Sequence, residues 1–190
     1  FLYFIVVSRP YSLCFKMAAG CNIRRVQTEL KQLQNCAEDW AAGITVQQKT
    51  EDDATVWSGA LPGPAGSPYE GGQFQFEVRF PNPPGEQGYP FKPPFVGFVT
   101  QVWHPNFATD LEKPDELGAG LYGMCYDKTR PENWKPGVKV QEILKDIQTY
   151  LAAPGATGGA NAAAAGQLGE QGNRGEFEAQ AREFTQKYAR

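Results

Sequence analysis

From Gly72 to Phe80 polar and apolar side chains alternate without a break. Phe74, Phe76, Val78 and Phe80 fall on one side, and Gln73, Gln75, Glu77 and Arg79 on the other. Successive side chains of a strand point to opposite faces, so this stretch predicts a strand with one face on a core and one face wet, the habit of an antiparallel sheet. GITVQQK and TVWSGAL precede it and also predict strands. The segment PNPPGEQGYPFKPP after it carries too many prolines for a strand interior, and FVGFVTQVW then supplies a fourth apolar run. Before these runs, Asn22 caps IRRVQTELKQLQNC, in which Ile23, Val26, Leu30 and Leu33 keep a helical period and Arg24, Arg25 and Lys31 lie mostly on the other face. After them, Val140, Ile143, Leu144, Ile147 and Leu151 predict a second amphipathic helix, central in the core. Phe177, Ala181, Phe184 and Tyr188 predict a third. The order is an N-terminal helix, a four-stranded antiparallel meander, an irregular loop-rich segment and C-terminal helices: an α+β fold.

A chain of 190 residues is most simply one domain with tails, long enough to bury a core without a disulfide or metal staple. Lys+Arg 18 against Asp+Glu 21 leaves a net charge of −3, which offers no bulk attraction to nucleic acid or to an anionic membrane. Gly 21 and Pro 15 point to long loops without reaching the composition of a disordered chain. Cysteines at 14, 21, 36 and 125 with a single histidine show no CxxC pair, so neither a structural zinc site nor a secreted disulfide framework is expected. Free thiols in a reducing compartment are.

The ends differ from the middle. The apolar run Phe1–Val7 falls far short of the roughly 20 residues of a membrane span, and no signal-peptide pattern surrounds it. Met17 opens MAAG in the manner of a natural start, so residues 1–19 are expected to lie outside a folded domain at 20–190. From Ala152 to Gly175 an Ala/Gly-rich stretch predicts a loop with at most a short helical piece.

Three short sequences carry chemistry: YPFKPP (89–94), HPN (104–106) and Cys125 within GMCYDKTRPENWKP. A thiolate is both a good nucleophile and a good leaving group, as an acyl carrier needs. Cys125 lies in a polar segment where such a thiol can be reached, whereas Cys36 follows a helix and reads as structural. A cysteine-protease reading would need His104 as base and Asn106 as orienter, and two residues flanking one proline cannot easily line up in series with a thiol.

In their order and spacing these motifs resemble the catalytic domain of ubiquitin-conjugating enzymes over about residues 20–190. MAA…RR at the first helix, ENWKP and EFTQKY are similar to the subgroup serving HECT and RING-between-RING ligases. The resemblance implies that Cys125 accepts ubiquitin as a thioester from an ATP-using activating enzyme and passes it to a ligase cysteine or a substrate lysine. It gives His104 a structural role in its loop, and Asn106 a carboxamide that steadies the loop or the oxyanion. Asp127 matches an acidic position that orients an incoming lysine. Phe91, Lys135 and Pro136 match the ligase-binding loops, Trp134 packs beneath them, and Arg24, Arg25 and Lys31 match the face that meets the activating enzyme. No cofactor, metal, nucleic acid or membrane is implied. A monomer in cytoplasm or nucleus is.

Three departures stand out. Asn106 and Cys125 are 19 residues apart, more than twice the family's usual interval. The extra segment, acidic at first and then glycine-rich, is expected to be either a lid or a surface bulge. PPGEQ (83–87) lengthens the loop before Tyr89. With Asn161 aligned to the family's asparagine, Gly158 stands where a second acidic residue belongs, and Gly155 replaces a usual asparagine. This predicts a carrier that favours a ligase cysteine over free lysine. Its rivals are a carrier of another ubiquitin-like modifier, a non-catalytic binding module and a thiol hydrolase.

Overall fold

The structure, a computed structural model, describes residues 20–113 and 116–190. The expected extension over residues 1–19 falls outside the described residues, as does Cys14. Helix α1 (Ile23–Gln34) opens where the Asn22 side chain accepts the Arg25 N–H at 3.1 Å. Strands β1 (Thr45–Thr50), β2 (Asp53–Pro62), β3 (Gln73–Arg79) and β4 (Phe95–Phe98) follow as an antiparallel meander. Then come β5 (Phe107–Leu111), β6 (Tyr122–Met124), α2 (Val140–Ala152), α3 (Ala162–Leu168) and α4 (Arg174–Tyr188).

The sheet has six strands in the order β1-β2-β3-β4-β6-β5, not the four expected from the apolar runs. The two additional strands come from the segment between Asn106 and Cys125. It forms a hairpin that extends the sheet, with β6 paired to β4 at Gly97↔Gly123 and Phe98↔Tyr122. Its loop is tied down by Arg79, which donates to the carbonyls of Leu117 and Ala119 at 3.0 and 2.9 Å. Gly118 lies against the Phe95 ring, where a Cβ would come within 2.3 Å of ring carbon. Arg79 in turn pairs with buried Glu77, which also takes Lys49.

One face of the sheet supplies Phe74, Phe76, Val78 and Phe80 to the core, all at most 2% exposed. Helix α2 meets them with Val140, Ile143, Leu144, Ile147 and Leu151. Burying each such side chain is worth about 1.5–3 kcal/mol, so α2 anchors the fold. The fourth apolar run ends as a strand at Phe98. Val99 and Thr100 both donate to the Gln75 carbonyl and the chain turns away. Residues 102–107 then run toward α2, and Val102, His104, Asn106 and Phe107 are buried there. The Ala/Gly-rich stretch forms the short α3, and Phe177 and Ala181 of α4 are buried, while Phe184 packs on Trp103. Helix α1 departs from its sequence reading in two places. Ile23 is exposed, and Glu29 is buried at 6% exposure. Among the described residues no helix is long and apolar enough to cross a membrane, and no three His, Cys, Asp or Glu side chains gather as a metal-holding group.

Candidate active site around Cys125

His104 sets the floor of the site. It is fully buried between Tyr69 and Phe107. Its Nδ1 accepts the Asn106 N–H at 3.0 Å, which leaves the proton on Nε2 to be donated to the Tyr150 carbonyl of α2 at 3.1 Å. Burial pushes its pKa down to about 4, so the imidazole is neutral at pH 7. Neither nitrogen is left for a thiol, and the ring pins the 104–106 turn to α2.

That turn presents Asn106 to Cys125. Its backbone carbonyl accepts the Cys125 N–H at 2.7 Å, beside the Phe107↔Met124 pair of β5 and β6. Its side-chain amide donates to the Cys125 carbonyl at 3.0 Å. The carboxamide thus holds the Cys125 backbone, at the edge of the pocket that Cys125 lines. Despite the long interval in sequence, the hairpin returns the chain so that residues 106 and 125 are direct neighbours.

Beyond Cys125 the chain is stapled to α2. Tyr126 is buried, and its hydroxyl and the Lys128 ammonium both donate to Asp146. A 3₁₀ turn over Asp127–Thr129 follows and brings Arg130 back over the thiol, its Nη2 3.2 Å from Cys125 Sγ. The Arg130 Nε also lies 3.2 Å from Asp127, which is exposed and has this guanidinium as its ion-pair partner. The far wall is the loop after α2. Pro105 O accepts the N–H groups of Ala160 and Asn161 at 3.1 and 3.0 Å. Gly158 is packed so tightly on Pro105 that a Cβ would sit 2.6 Å from its backbone. An acidic side chain cannot be added at 158 without moving this loop. Asn106, Cys125, Asp127, Arg130, Tyr150 and the glycines at 158 and 159 line a polar hollow of about 250 Å³. On the other side of the thiol, Phe95, Leu117, Met124 and Pro131 line an apolar hollow of about 370 Å³.

The other candidate residues lie elsewhere. Phe91 is 52% exposed, and Lys135 and Pro136 are exposed in the facing loop. Trp134 joins the two loops by donating its indole N–H to the Pro90 carbonyl at 2.7 Å. Arg24 and Lys31 are exposed on α1, but Arg25 turns inward, away from the solvated face expected of it. Its Nε pairs with Glu29 at 2.7 Å and its Nη2 donates to the Val138 carbonyl at 3.2 Å, while its guanidinium lies over the Tyr89 ring. Glu29 also takes the Tyr89 hydroxyl at 2.6 Å and the Val140 N–H at 3.0 Å. A carboxylate buried among three donors joins α1, the 89–94 loop and the start of α2. Sequence reasoning missed Glu29 and Arg130. Glu29 was legible in principle as a charge on the apolar stripe, three residues after Val26 and four before Leu33. Arg130 was legible in principle, three residues after Asp127 across a turn.

Comparison with known proteins gives the family of the chain. The family model described as Ubiquitin-conjugating enzyme matches residues 25–185. Ubiquitin-conjugating enzyme E2 27 of Arabidopsis thaliana is 38% identical over 125 residues, 65% of this chain and 56% of that protein. Ubiquitin-conjugating enzyme E2-22 kDa of Drosophila melanogaster is 31% identical over 71% of this chain and 59% of its own length. The chain therefore spans little more than half the length of these two relatives. Among solved structures, the E2 domain of a Toxoplasma gondii ubiquitin conjugating enzyme superposes with a TM-score of 0.66 at 30% identity, covering 88% of this chain and 98% of that one. By sequence, fold and the match across residues 25–185, this chain belongs to the ubiquitin-conjugating enzyme family.

Proposed function

We propose that residues 20–190 form a catalytic domain that carries ubiquitin as a thioester on Cys125 and passes it preferentially to a ligase cysteine. The observation that carries this reading is the site's composition. A half-buried thiol, held by its backbone to Asn106, faces an acidic Asp127 on one side and an unadorned Gly158 on the other. In charging, the Cys125 thiolate attacks the activating enzyme's thioester carbonyl, a new C–S bond forms, and the departing thiolate stays on that enzyme. ATP is consumed there and not on this chain. In discharge to a cysteine the exchange repeats, thiolate in and thiolate out, so no proton need be removed at this site. Discharge to lysine needs an amine stripped of its proton and of water, and the close packing of Gly158 on Pro105 leaves one wall of the pocket without a group to help.

Phe91, Lys135 and Pro136, joined through Trp134, form the surface offered to a ligase of the HECT or RING-between-RING type, with an exposed aromatic as anchor. Arg24 and Lys31 are the cations that α1 offers to the activating enzyme, while Arg25 acts from within by holding Glu29. Action as a monomer in cytoplasm or nucleus completes the reading. The test is discharge of the purified thioester into free cysteine and, separately, free lysine. Fast release to cysteine with slow release to lysine is expected. Lysine discharge as rapid as cysteine discharge would contradict it.

A further inference from the structure

Of the groups that line the two hollows meeting at Cys125, only Arg130 contributes a cation, among the described residues. Its Nη2 is 3.2 Å from the sulfur, within hydrogen-bond reach, and its Nε is 3.2 Å from Asp127. The backbone fixes this arrangement. The Asp127 carbonyl accepts the Arg130 N–H, and the Arg130 carbonyl accepts those of Asn133 and Trp134, so the side chain starts from a closed turn tied into the Trp134 loop. The other ionisable groups lining the two hollows at the thiol are Asp127 on the same turn, Tyr126 beside the cysteine and Tyr150 from α2. His104, beneath them, is neutral at pH 7.

We propose that Arg130 is a catalytic residue: its guanidinium stabilises the Cys125 thiolate, both as attacking nucleophile and as leaving group, and by engaging Asp127 it withholds that carboxylate from an incoming lysine. This rests on the reading of Cys125 as the thioester carrier and deepens it by naming the group that steers the acceptor class. A cation beside sulfur favours the charged form, the one that reacts. A thiol-to-thiol exchange begins and ends with a thiolate, so the guanidinium helps in both directions. An amine acceptor expels the same thiolate but must also shed a proton. It meets an Asp127 whose charge is already paired.

The test begins on the uncharged protein and does not depend on its function. Alkylation of Cys125 by iodoacetamide, which replaces iodide with a C–S bond, is followed against pH by peptide mass spectrometry. Cys125 is thereby read apart from Cys14, Cys21 and Cys36. Arg130 is exposed, so Arg130→Gln and Arg130→Lys leave the fold intact. Arg130→Gln is expected to move the alkylation midpoint up by about half to one pH unit, a shift kept small by solvent, with Arg130→Lys in between. Charging of Arg130→Gln at pH 7 is then expected to fall about 3- to 10-fold and to recover above the new midpoint, since the thiolate fraction falls tenfold per pH unit. Its thioester should release to lysine faster relative to cysteine than wild type, because Asp127 is freed. An unchanged midpoint in Arg130→Gln overturns the proposal. So does a charging defect equal at all pH values, which would place Arg130 in docking rather than chemistry. Failure of the wild-type protein to charge, with the midpoint shift present, would instead count against the carrier reading.

Discussion

The frame of α1, β1–β4 and α2 and the strip around Cys125 are held by different forces. In the frame, aromatic and aliphatic side chains from one sheet face close on five from α2, and area removed from water supplies the energy. In the strip, residues 104–106, 125–130 and 158–161 are placed by directional contacts. These are two ring nitrogens of His104, a double tie between Asn106 and the Cys125 backbone, the Pro105 carbonyl shared by Ala160 and Asn161, and Asp146 taking Tyr126 and Lys128. The difference teaches that stability and chemistry are separable here. The frame decides whether the chain folds, and the strip decides where the sulfur points.

Ile147→Ala separates the two most strongly. Ile147 is fully buried in α2, and removing its side chain is expected to cost about 2–5 kcal/mol in urea unfolding, while the folded fraction keeps the wild-type alkylation rate at Cys125. A parallel loss of thiol reactivity would show that the frame tunes the site after all. The second effect belongs to His104 and depends on pH. Its folded pKa of about 4 lies below the unfolded value of 6.5, so between these limits the unfolded chain binds the proton more readily. Stability therefore falls as pH drops from 6.5 toward 4, by about 3 kcal/mol from this group, and is unaffected above that window. Unfolding of His104→Gln across the same range should lack this component while keeping the carboxylate contributions. An unchanged slope would show that the histidine is not held neutral. The smallest effect compares two glycines of one loop. Gly158→Ala places a Cβ 2.6 Å from the Pro105 backbone and is expected to cost about 1–3 kcal/mol, whereas Gly155→Ala meets only Thr157 Oγ1 at 3.8 Å and should stay within about 0.5 kcal/mol. Equal effects would mean that the loop does not clamp Pro105.

The frame was the legible part. Period-2 alternation over Gly72–Phe80 and the helical period of Val140–Leu151 are direct consequences of which face is buried, and β3 and α2 stand where those patterns put them. The strip was legible only by motif. HPN and the cysteine segment pointed to residues that the fold brings together, but nothing in FATDLEKPDELGAGLYGM alternates strongly enough to predict β5 and β6. Those strands owe their existence to the free edge of β4 and to the Arg79 clamp from β3, both long-range partners that no local pattern records. The inward turn of Arg25 onto Glu29 is hidden for a related reason. A buried ion pair among donors from three elements looks, along one helix, like an ordinary solvated i,i+4 pair.

The most direct measurement is charging: the protein with activating enzyme, ATP and ubiquitin, run on a non-reducing gel beside Cys125→Ala. The account predicts a thiol-sensitive adduct of one ubiquitin that is absent in the variant, with both proteins equally stable. An adduct that survives in Cys125→Ala, or none in the wild type while the activating enzyme is visibly charged, would contradict it.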